Sequence, residues 1–261
     1  MNVRIYNQTA WDRQVKDGEN PWTKPVNPEI IVQARKGDFS VLLTENKPVP
    51  REWFPKIKDL DILCLASGGG QQGPVLTAAG ANVTVFDNSP QQLAQDHLVA
   101  ERDGLEIHLV EGDAADLSVF ENESFDVVFN PCSTVFMKDV RPVWKEAFRV
   151  LRQGGYLMTG SMNPIQYILD LQKYDQGILE IKHSIPYSDV DSLSKVELDN
   201  ILNKGFPLEF GHSLTDLLGG QCDAGFQIVN IYEDYKNDCP LAKFHPNYIA
   251  TRALKPYKGN L

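Results

Sequence analysis

Between residues 60 and 160 short apolar runs alternate with amphipathic stretches, and a glycine cluster closes the first run. Residues 62–66, Ile-Leu-Cys-Leu-Ala, are apolar on both faces, as in a strand covered on both sides of a parallel sheet. The chain then reads Ser67-Gly68-Gly69-Gly70-Gln71-Gln72-Gly73-Pro74, and the pattern predicts a helix over 74–79 with Gly80 as its stop. A second strand is expected over 82–86. Ser89 caps the next helix, with Pro90 at its first position and Gln92 three residues past the cap, and Gly104 ends it. Strands are expected at 106–110 and 125–129, a helix at 140–151, and a fifth strand at 156–160 after Gly154-Gly155. Strands and helices alternating at this spacing call for a mostly parallel sheet with helices on both faces.

The flanks depart from this rhythm. Residues 1–58 hold a short helix, three prolines (Pro21, Pro25, Pro28), a second helix over 29–36 and three more prolines (Pro48, Pro50, Pro55). Tyr6, Trp11, Trp22, Trp53 and Phe54 are too many aromatics for a disordered tail, so the segment is expected to be an ordered N-terminal cover on a domain spanning 59–261. Residues 161–212, with a strand expected at 177–185 and a polar helix at 192–203, are too long for an ordinary connection and are expected to form an inserted lid. A helix follows over 213–224, capped by Ser213, with a Gly219-Gly220 pair that implies close packing or a bend. The last two strands, 226–233 and 248–253, are separated by about a dozen residues. That is too few for a helical crossover, so the final strand is expected to run antiparallel in a seven-stranded mixed sheet.

Charge narrows the partners. Residues 1–60 carry ten basic and eight acidic side chains, and the other 201 carry fifteen and twenty-seven. So acidic a domain repels a phosphate backbone, which disfavours nucleic acid as partner. No apolar run approaches the ~20 residues of a membrane span, and the first residues lack the basic end and apolar core of a signal peptide. Cys64, Cys132, Cys222 and Cys239 lie far apart with no paired spacing. They read as buried free thiols of a cytoplasmic protein, with no disulfide framework and no metal site.

The glycine loop carries the first functional signal. Glycines there let the backbone approach a ligand closely, and Asp87, 19 residues after Gly68, stands where a carboxylate can accept both ribose hydroxyls of a nucleoside. Gly68-x-Gly70-x-x-Gly73 matches the dinucleotide fingerprint, which keeps an NAD(P)-dependent oxidoreductase open. Three features point elsewhere. Ala66 and Ser67 intervene before the first glycine, so the loop fits better as Ala66-x-Gly68-x-Gly70. Glu111-Gly112-Asp113-Ala114 follows the third strand, where an acid can take the exocyclic amine of an adenine. The final strand is expected antiparallel.

Together these pieces resemble the class I S-adenosylmethionine-dependent methyltransferases. Members of that family carry a GxGxG loop after the first strand, an acid ending the second, Gly-Asp after the third, an FDVV fourth strand and an LxxGGxL turn into the fifth. Here these are Ala66-Ser67-Gly68-Gly69-Gly70, Asp87, Gly112-Asp113, Phe125-Asp126-Val127-Val128 and Leu151-Arg152-Gln153-Gly154-Gly155-Tyr156-Leu157. The chain is most similar to the small-molecule branch related to quinone-biosynthesis enzymes. Ala66 replaces the usual first glycine, and Cys64 stands where an acid often sits.

The resemblance implies a Rossmann-like fold, S-adenosylmethionine as cofactor, S-adenosylhomocysteine as product and a small-molecule methyl acceptor as partner. It puts the backbone of Ala66, Ser67, Gly68, Gly70 and Gln71 beside the methionine part. Asp87 takes the ribose, with Asn88 near the adenine. Gly112, Asp113 and Ala114 read the adenine edge, and Asn130 faces the methionine moiety through its backbone. A non-catalytic sensor of an adenosyl ligand is the remaining alternative.

Methyl transfer needs alignment above all, and a base only where the acceptor is a hydroxyl or an acidic carbon. His183, His212 and Tyr187 in the inserted segment are the catalytic candidates, and Tyr6, Trp11, Trp22 and Ser133 the candidate pocket walls. Asn130-Pro131-Cys132-Ser133 is similar to the Asn-Pro-Pro-aromatic motif of enzymes that methylate nucleobase or amide nitrogens, but it lacks the aromatic. The acceptor, the atom methylated and the oligomeric state stay open at this level.

Overall fold

The computed structural model describes residues 1–257 and 259. Its strands are β1 (Asp61–Leu65), β2 (Asn82–Asp87), β3 (Ile107–Glu111), β4 (Phe125–Asn130), β5 (Leu151–Met162), β6 (Tyr187–Ser188), β7 (Phe210–Gly211), β8 (Gln227–Asp234) and β9 (Tyr248–Leu254). Seven of them form one sheet in the order β3-β2-β1-β4-β5-β9-β8. β1 to β5 pair in parallel, and β9 runs antiparallel to both β5 and β8. The mixed sheet and the reversed last strand are as the sequence predicts. The strand order turns back between β1 and β4, which opens a crevice at their carboxyl ends.

The helices are α1 (Val3–Asp17), α2 (Pro28–Arg35), α3 (Gln72–Ala78), α4 (Pro90–Asp103), α5 (Arg141–Val150), α6 (Leu171–Tyr174), α7 (Asp189–Ser192), α8 (Lys195–Lys204) and α9 (Gly220–Asp223). β1 explains why both faces are covered. Its Ile62 and Cys64 join one core with Leu76 and Val99 of α3 and α4, while Leu63 and Leu65 join a second core with Trp144 and Ala147 of α5. Burying each such aliphatic side chain contributes about 1.5–3 kcal/mol. α4 starts where expected: Ser89 Oγ accepts the Gln92 N–H at 3.1 Å, and Gly104 closes the helix in the left-handed conformation.

Two expected elements differ. Residues 177–185 form no strand; only Ile181 makes an isolated bridge, to Leu169. Ile178 and Ile181 are exposed there, so their apolar character has no ladder or core to serve. The helix expected over 213–224 is a widened π turn over Thr215–Gly219 followed by α9. Ser213 does cap it, accepting from the Asp216 N–H at 3.1 Å. Packing explains Gly220, where a Cβ would stand 2.9 Å from Cδ1 of Trp144, but not Gly219, where a Cβ would meet only Thr215 Cγ2 at 3.8 Å.

The N-terminal segment joins the main core rather than resting on it. Ile31, Val41, Leu43 and Trp53 are buried with the sheet residues. The Leu43 carbonyl accepts the Cys132 N–H at 3.0 Å and lies over Gly160, where a Cβ would stand 1.8 Å away. We therefore expect Gly160→Ala to destabilise the protein by about 1–3 kcal/mol. Urea unfolding checks this, and an unchanged midpoint would show that residues 41–49 are not seated on β5.

Candidate active site

A cleft of about 700 Å³ opens at the carboxyl ends of β1, β2, β4 and β5. Its first half is built on backbone geometry. Ala66 has a φ of 47°, in the left-handed region that costs an L-residue about 1–2 kcal/mol. This is the position where related loops carry glycine. The turn sends the next amides inward: the Gly68 N–H donates to Asp87 Oδ2 at 2.9 Å and the Gly69 N–H to Asp96 Oδ2 at 3.0 Å. Asp87 also takes the Ser89 N–H on Oδ1, and its carbonyl takes the Gly112 N–H, both at 2.9 Å. One residue thus ties together the loops after β1, β2 and β3. Burial raises the Asp87 carboxyl, and the N–H bonds pull it back down. Gly68 leaves room for this: a Cβ there would stand 2.7 Å from the Gln92 Cβ.

α1 forms the roof. Arg4, Gln8 and Asp12 fall at helical spacing on one face. Arg4 donates to Asn88 Oδ1 at 2.8 Å and pairs with Asp113 at 3.8 Å. Gln8 donates to the Asn88 carbonyl and to Glu111, both at 2.8 Å, and Asp12 accepts the Ser89 hydroxyl at 2.6 Å. The neighbouring stripe, Val3, Asn7, Trp11 and Gln14, lines the cleft. Trp11 meets Phe136 edge to face at 4.9 Å, and Asn7 donates to the carbonyls of Phe136 and Leu208, both at 3.0 Å.

The second half of the cleft is side-chain chemistry. Tyr167 donates to Glu209 Oε2 at 2.7 Å, and Tyr248 to Glu45 Oε2 at 2.6 Å. Burial pushes the Glu209 carboxyl up to about 7; Asp189 adds to the rise, while the Tyr167 hydroxyl and Lys236 oppose it. Burial holds the Cys132 thiol up at about 12, with the charges of Glu209 and Glu45 adding to it. Cys132 is therefore a neutral thiol at physiological pH.

The expected site residues divide. Ala66, Ser67, Gly68, Gln71, Asp87 and Asn88 line the first half, with Gly112, Asp113 and Ala114 beyond them. Trp11, Trp22 and Ser133 line the cleft as well. Gly70 does not: its carbonyl accepts the Val26 N–H at 2.9 Å, and its backbone packs on α4. Asn130 is fully buried. Its amide donates to the Leu65 carbonyl and the Ser133 hydroxyl, both at 2.8 Å, and its oxygen accepts from Thr159 at 2.9 Å. It stitches β1, β4 and β5 together, which leaves its amide engaged and unable to grip a target NH2.

The catalytic candidates stand outside the cleft. The His212 Nε2 sits 3.0 Å from the Thr134 carbonyl, and burial lowers its pKa. His183 packs edge to face on Tyr187 at 5.1 Å. Tyr187 is buried, with its hydroxyl donating to Asp189 at 2.7 Å. Tyr6 points away and donates to the Phe206 carbonyl at 3.0 Å. The residues that sequence reasoning missed are Tyr167, Glu209, Glu45 and Tyr248 in the second half, and Asp96 behind the loop. Among the four cysteines, all free thiols, Cys64 and Cys239 are buried, whereas Cys222 is exposed.

Residues 63–159 match a family described as a methyltransferase domain. A solved S-adenosylmethionine-dependent methyltransferase from Mesorhizobium loti superposes with a TM-score of 0.61 at 18% identity, over 78% of this chain and 94% of that one. The uncharacterized methyltransferase YbaJ of Bacillus subtilis (strain 168) is 51% identical over 256 residues, 98% of this chain and 100% of that protein. The chain belongs to the class I S-adenosylmethionine-dependent methyltransferases. Sterol 24-C-methyltransferase erg6 of Aspergillus fumigatus is 36% identical over 101 residues, but these are 38% of this chain and 26% of that protein. Membership of the class I family removes the oxidoreductase alternative. Among the described residues no helix is long and apolar enough to cross a membrane.

Asp96 gives this methyltransferase a pH signature. Burial raises its carboxyl from 3.8 to about 8. Between those values the unfolded chain has lost the proton that the folded protein keeps, so stability falls as pH rises from about 4 to about 8. Asp96→Asn should flatten that slope, as melting temperatures across the same range will read. An unchanged slope would mean that Asp96 is ionised in the fold.

Proposed function

We propose that this methyltransferase acts on a small-molecule acceptor, with the methyl donor in the first half of the cleft and the acceptor in the second. The observation that carries the reading is the cleft itself. Its volume, about 700 Å³, is in the range of small-molecule sites. Its two halves differ in chemistry, and α1 and the inserted segment cover it.

The residues of the first half fit S-adenosylmethionine. Ser67 Oγ is buried at the cleft wall and has no hydrogen-bond partner among the described residues. Such an atom costs about 1–3 kcal/mol unless a ligand or water engages it. Asp87 keeps acceptor capacity on its carboxylate beyond the two N–H groups it holds, which suits a ribose diol. Asp113 and the backbone of Ala114 suit the adenine edge, and Ala66 and Gly68 the methionine end. When bound, the cofactor supplies an electrophilic methyl carbon on a sulfonium sulfur.

The chain's own part is alignment and exclusion of water. α1 keeps Asn88 and Asp113 in place through Arg4. Trp11 and Phe136 wall the junction of the two halves. Alignment of this kind converts an encounter into an effectively unimolecular step.

Isothermal titration of the protein with S-adenosylhomocysteine tests the assignment. Binding is expected for the wild type, with an affinity at least tenfold weaker in Asp87→Ala. Ligand at 100 times its Kd should stabilise the wild type by about 2.7 kcal/mol, while NADH leaves it unchanged. Equal affinity in a folded Asp87→Ala protein would remove the ribose assignment.

A further inference from the structure

We propose that the methyl acceptor is an amine bound as its ammonium, and that Glu209 takes its proton so that the nitrogen can be methylated. This rests on the methyl-transfer reading above. Glu209 stands on the cleft wall immediately before β7. Its backbone N–H donates to Asp189 Oδ2 at 2.8 Å, and Oε2 is held by the Tyr167 hydroxyl at 2.7 Å. Oε1 has no hydrogen-bond partner among the described residues. Asp189 therefore holds the backbone, Tyr167 holds one carboxyl oxygen, and the other oxygen is kept for a ligand.

The charges around it favour a cation. Glu209 faces Tyr167 from the turn after β5, Asp189 from α7, Cys132 from the loop after β4, and Lys236 from the segment after β8. Glu45, held by Tyr248, bears on the same Cys132 thiol from the N-terminal segment. On the cleft wall Glu45, Asp139 and Glu209 stand with Lys138 and Lys236, and Asp189 lies behind Glu209; this acidic balance attracts an ammonium and repels a carboxylate or a phenolate. The aromatic walls, Tyr167, Tyr248, Phe136 and Trp11, add the faces on which organic cations settle.

The chemistry requires a base here. An ammonium nitrogen has no lone pair, so it cannot attack carbon until it loses a proton. Burial sets the Glu209 carboxyl at about 7, close to the pH at which a general base works best. The imidazoles of His183 and His212 lie outside the cleft, and Cys132 remains a thiol. In the step, one N–H bond breaks and its proton passes to Glu209 Oε1. The freed nitrogen lone pair forms the bond to the methyl carbon as that carbon's bond to sulfur breaks, and the electron pair of the broken bond stays on sulfur. The product is the methylated ammonium, and Glu209 returns its proton to solvent. Tyr167 acts as a positioning residue through Glu209.

The test uses protein saturated with S-adenosylhomocysteine, titrated calorimetrically with phenethylamine, phenethyl alcohol and 3-phenylpropionate. It is run just below neutral pH in two buffers of different ionisation enthalpy. Phenethylamine should bind at least tenfold more tightly than the alcohol, and the acid should not bind. Its binding should release protons, because the ammonium draws Glu209 into its carboxylate form. In Glu209→Gln the preference should fall below twofold and the proton release should vanish, with S-adenosylhomocysteine still bound. Tyr167→Phe should keep the release but move its midpoint to higher pH, since the hydroxyl that favours the carboxylate is gone. Equal binding of amine and alcohol, no amine binding at millimolar concentration, or proton release that survives in Glu209→Gln would each overturn the proposal. Failure of the wild type to bind S-adenosylhomocysteine at the outset would instead remove the methyl-donor site, and this proposal with it.

Discussion

The N–H groups of Gly68 and Gly69 point back into the protein, onto the carboxyl groups of Asp87 and Asp96. These two bonds set the path of the loop. They turn its outer side, Ala66 and Ser67, toward the cleft and hold Ala66 in a conformation that an alanine does not adopt freely. The Asp87 carbonyl holds Gly112 in the same way, so the loops after β1, β2 and β3 share one anchor. The cost is two desolvated carboxyl groups, offset by the backbone donors they accept.

The N-terminal segment depends on the same loop. Gln71 donates to the carbonyls of Pro21 and Lys24 at 2.8 and 2.9 Å, and the Val26 N–H reaches Gly70. A side chain on Gly69 would meet the Trp22 carbonyl at 2.5 Å. From this clamp the chain leads back to α1, which bridges Asn88 and Asp113 on one side and Phe136 and Leu208 on the other. One helix therefore touches the walls of both halves of the cleft, which is why the cleft is roofed rather than open.

The sheet was legible because each strand of its core is a short apolar run with a turn signal after it. The loop residues were legible because glycine and acid positions follow strand ends in a fixed order. α1 was visible only as a short helix, since its contacts are polar: Arg4, Gln8 and Asp12 make a hydrogen-bonding stripe that hydrophobic periodicity does not reveal. Gly177 to Ile185 reads as a strand by composition, but no neighbour offers it a ladder. Glu209 and Tyr167 were invisible for a different reason. They lie 42 residues apart, and Glu209 reaches Tyr167 from beside the strand β7 that pairs with β6. The histidines of the inserted segment have a base's chemistry by residue type, yet both stand outside the cleft, His212 on the Thr134 carbonyl and His183 packed on Tyr187. Asp96 is by sequence one polar residue within α4, and only its burial beneath the glycine loop marks it.

The division of the cleft into a donor half and an acceptor half is the central claim, and backbone amide spectra tests it most directly. Isotope-labelled protein would be titrated with S-adenosylhomocysteine, and the amide shifts followed residue by residue. The account predicts that the amides of Ser67, Gly68, Asn88, Asp113 and Ala114 move together with one saturation curve, while Glu209 and its neighbours at β7 stay in place. Shifts centred on Glu209 and Tyr248, with the glycine loop unmoved, would contradict it.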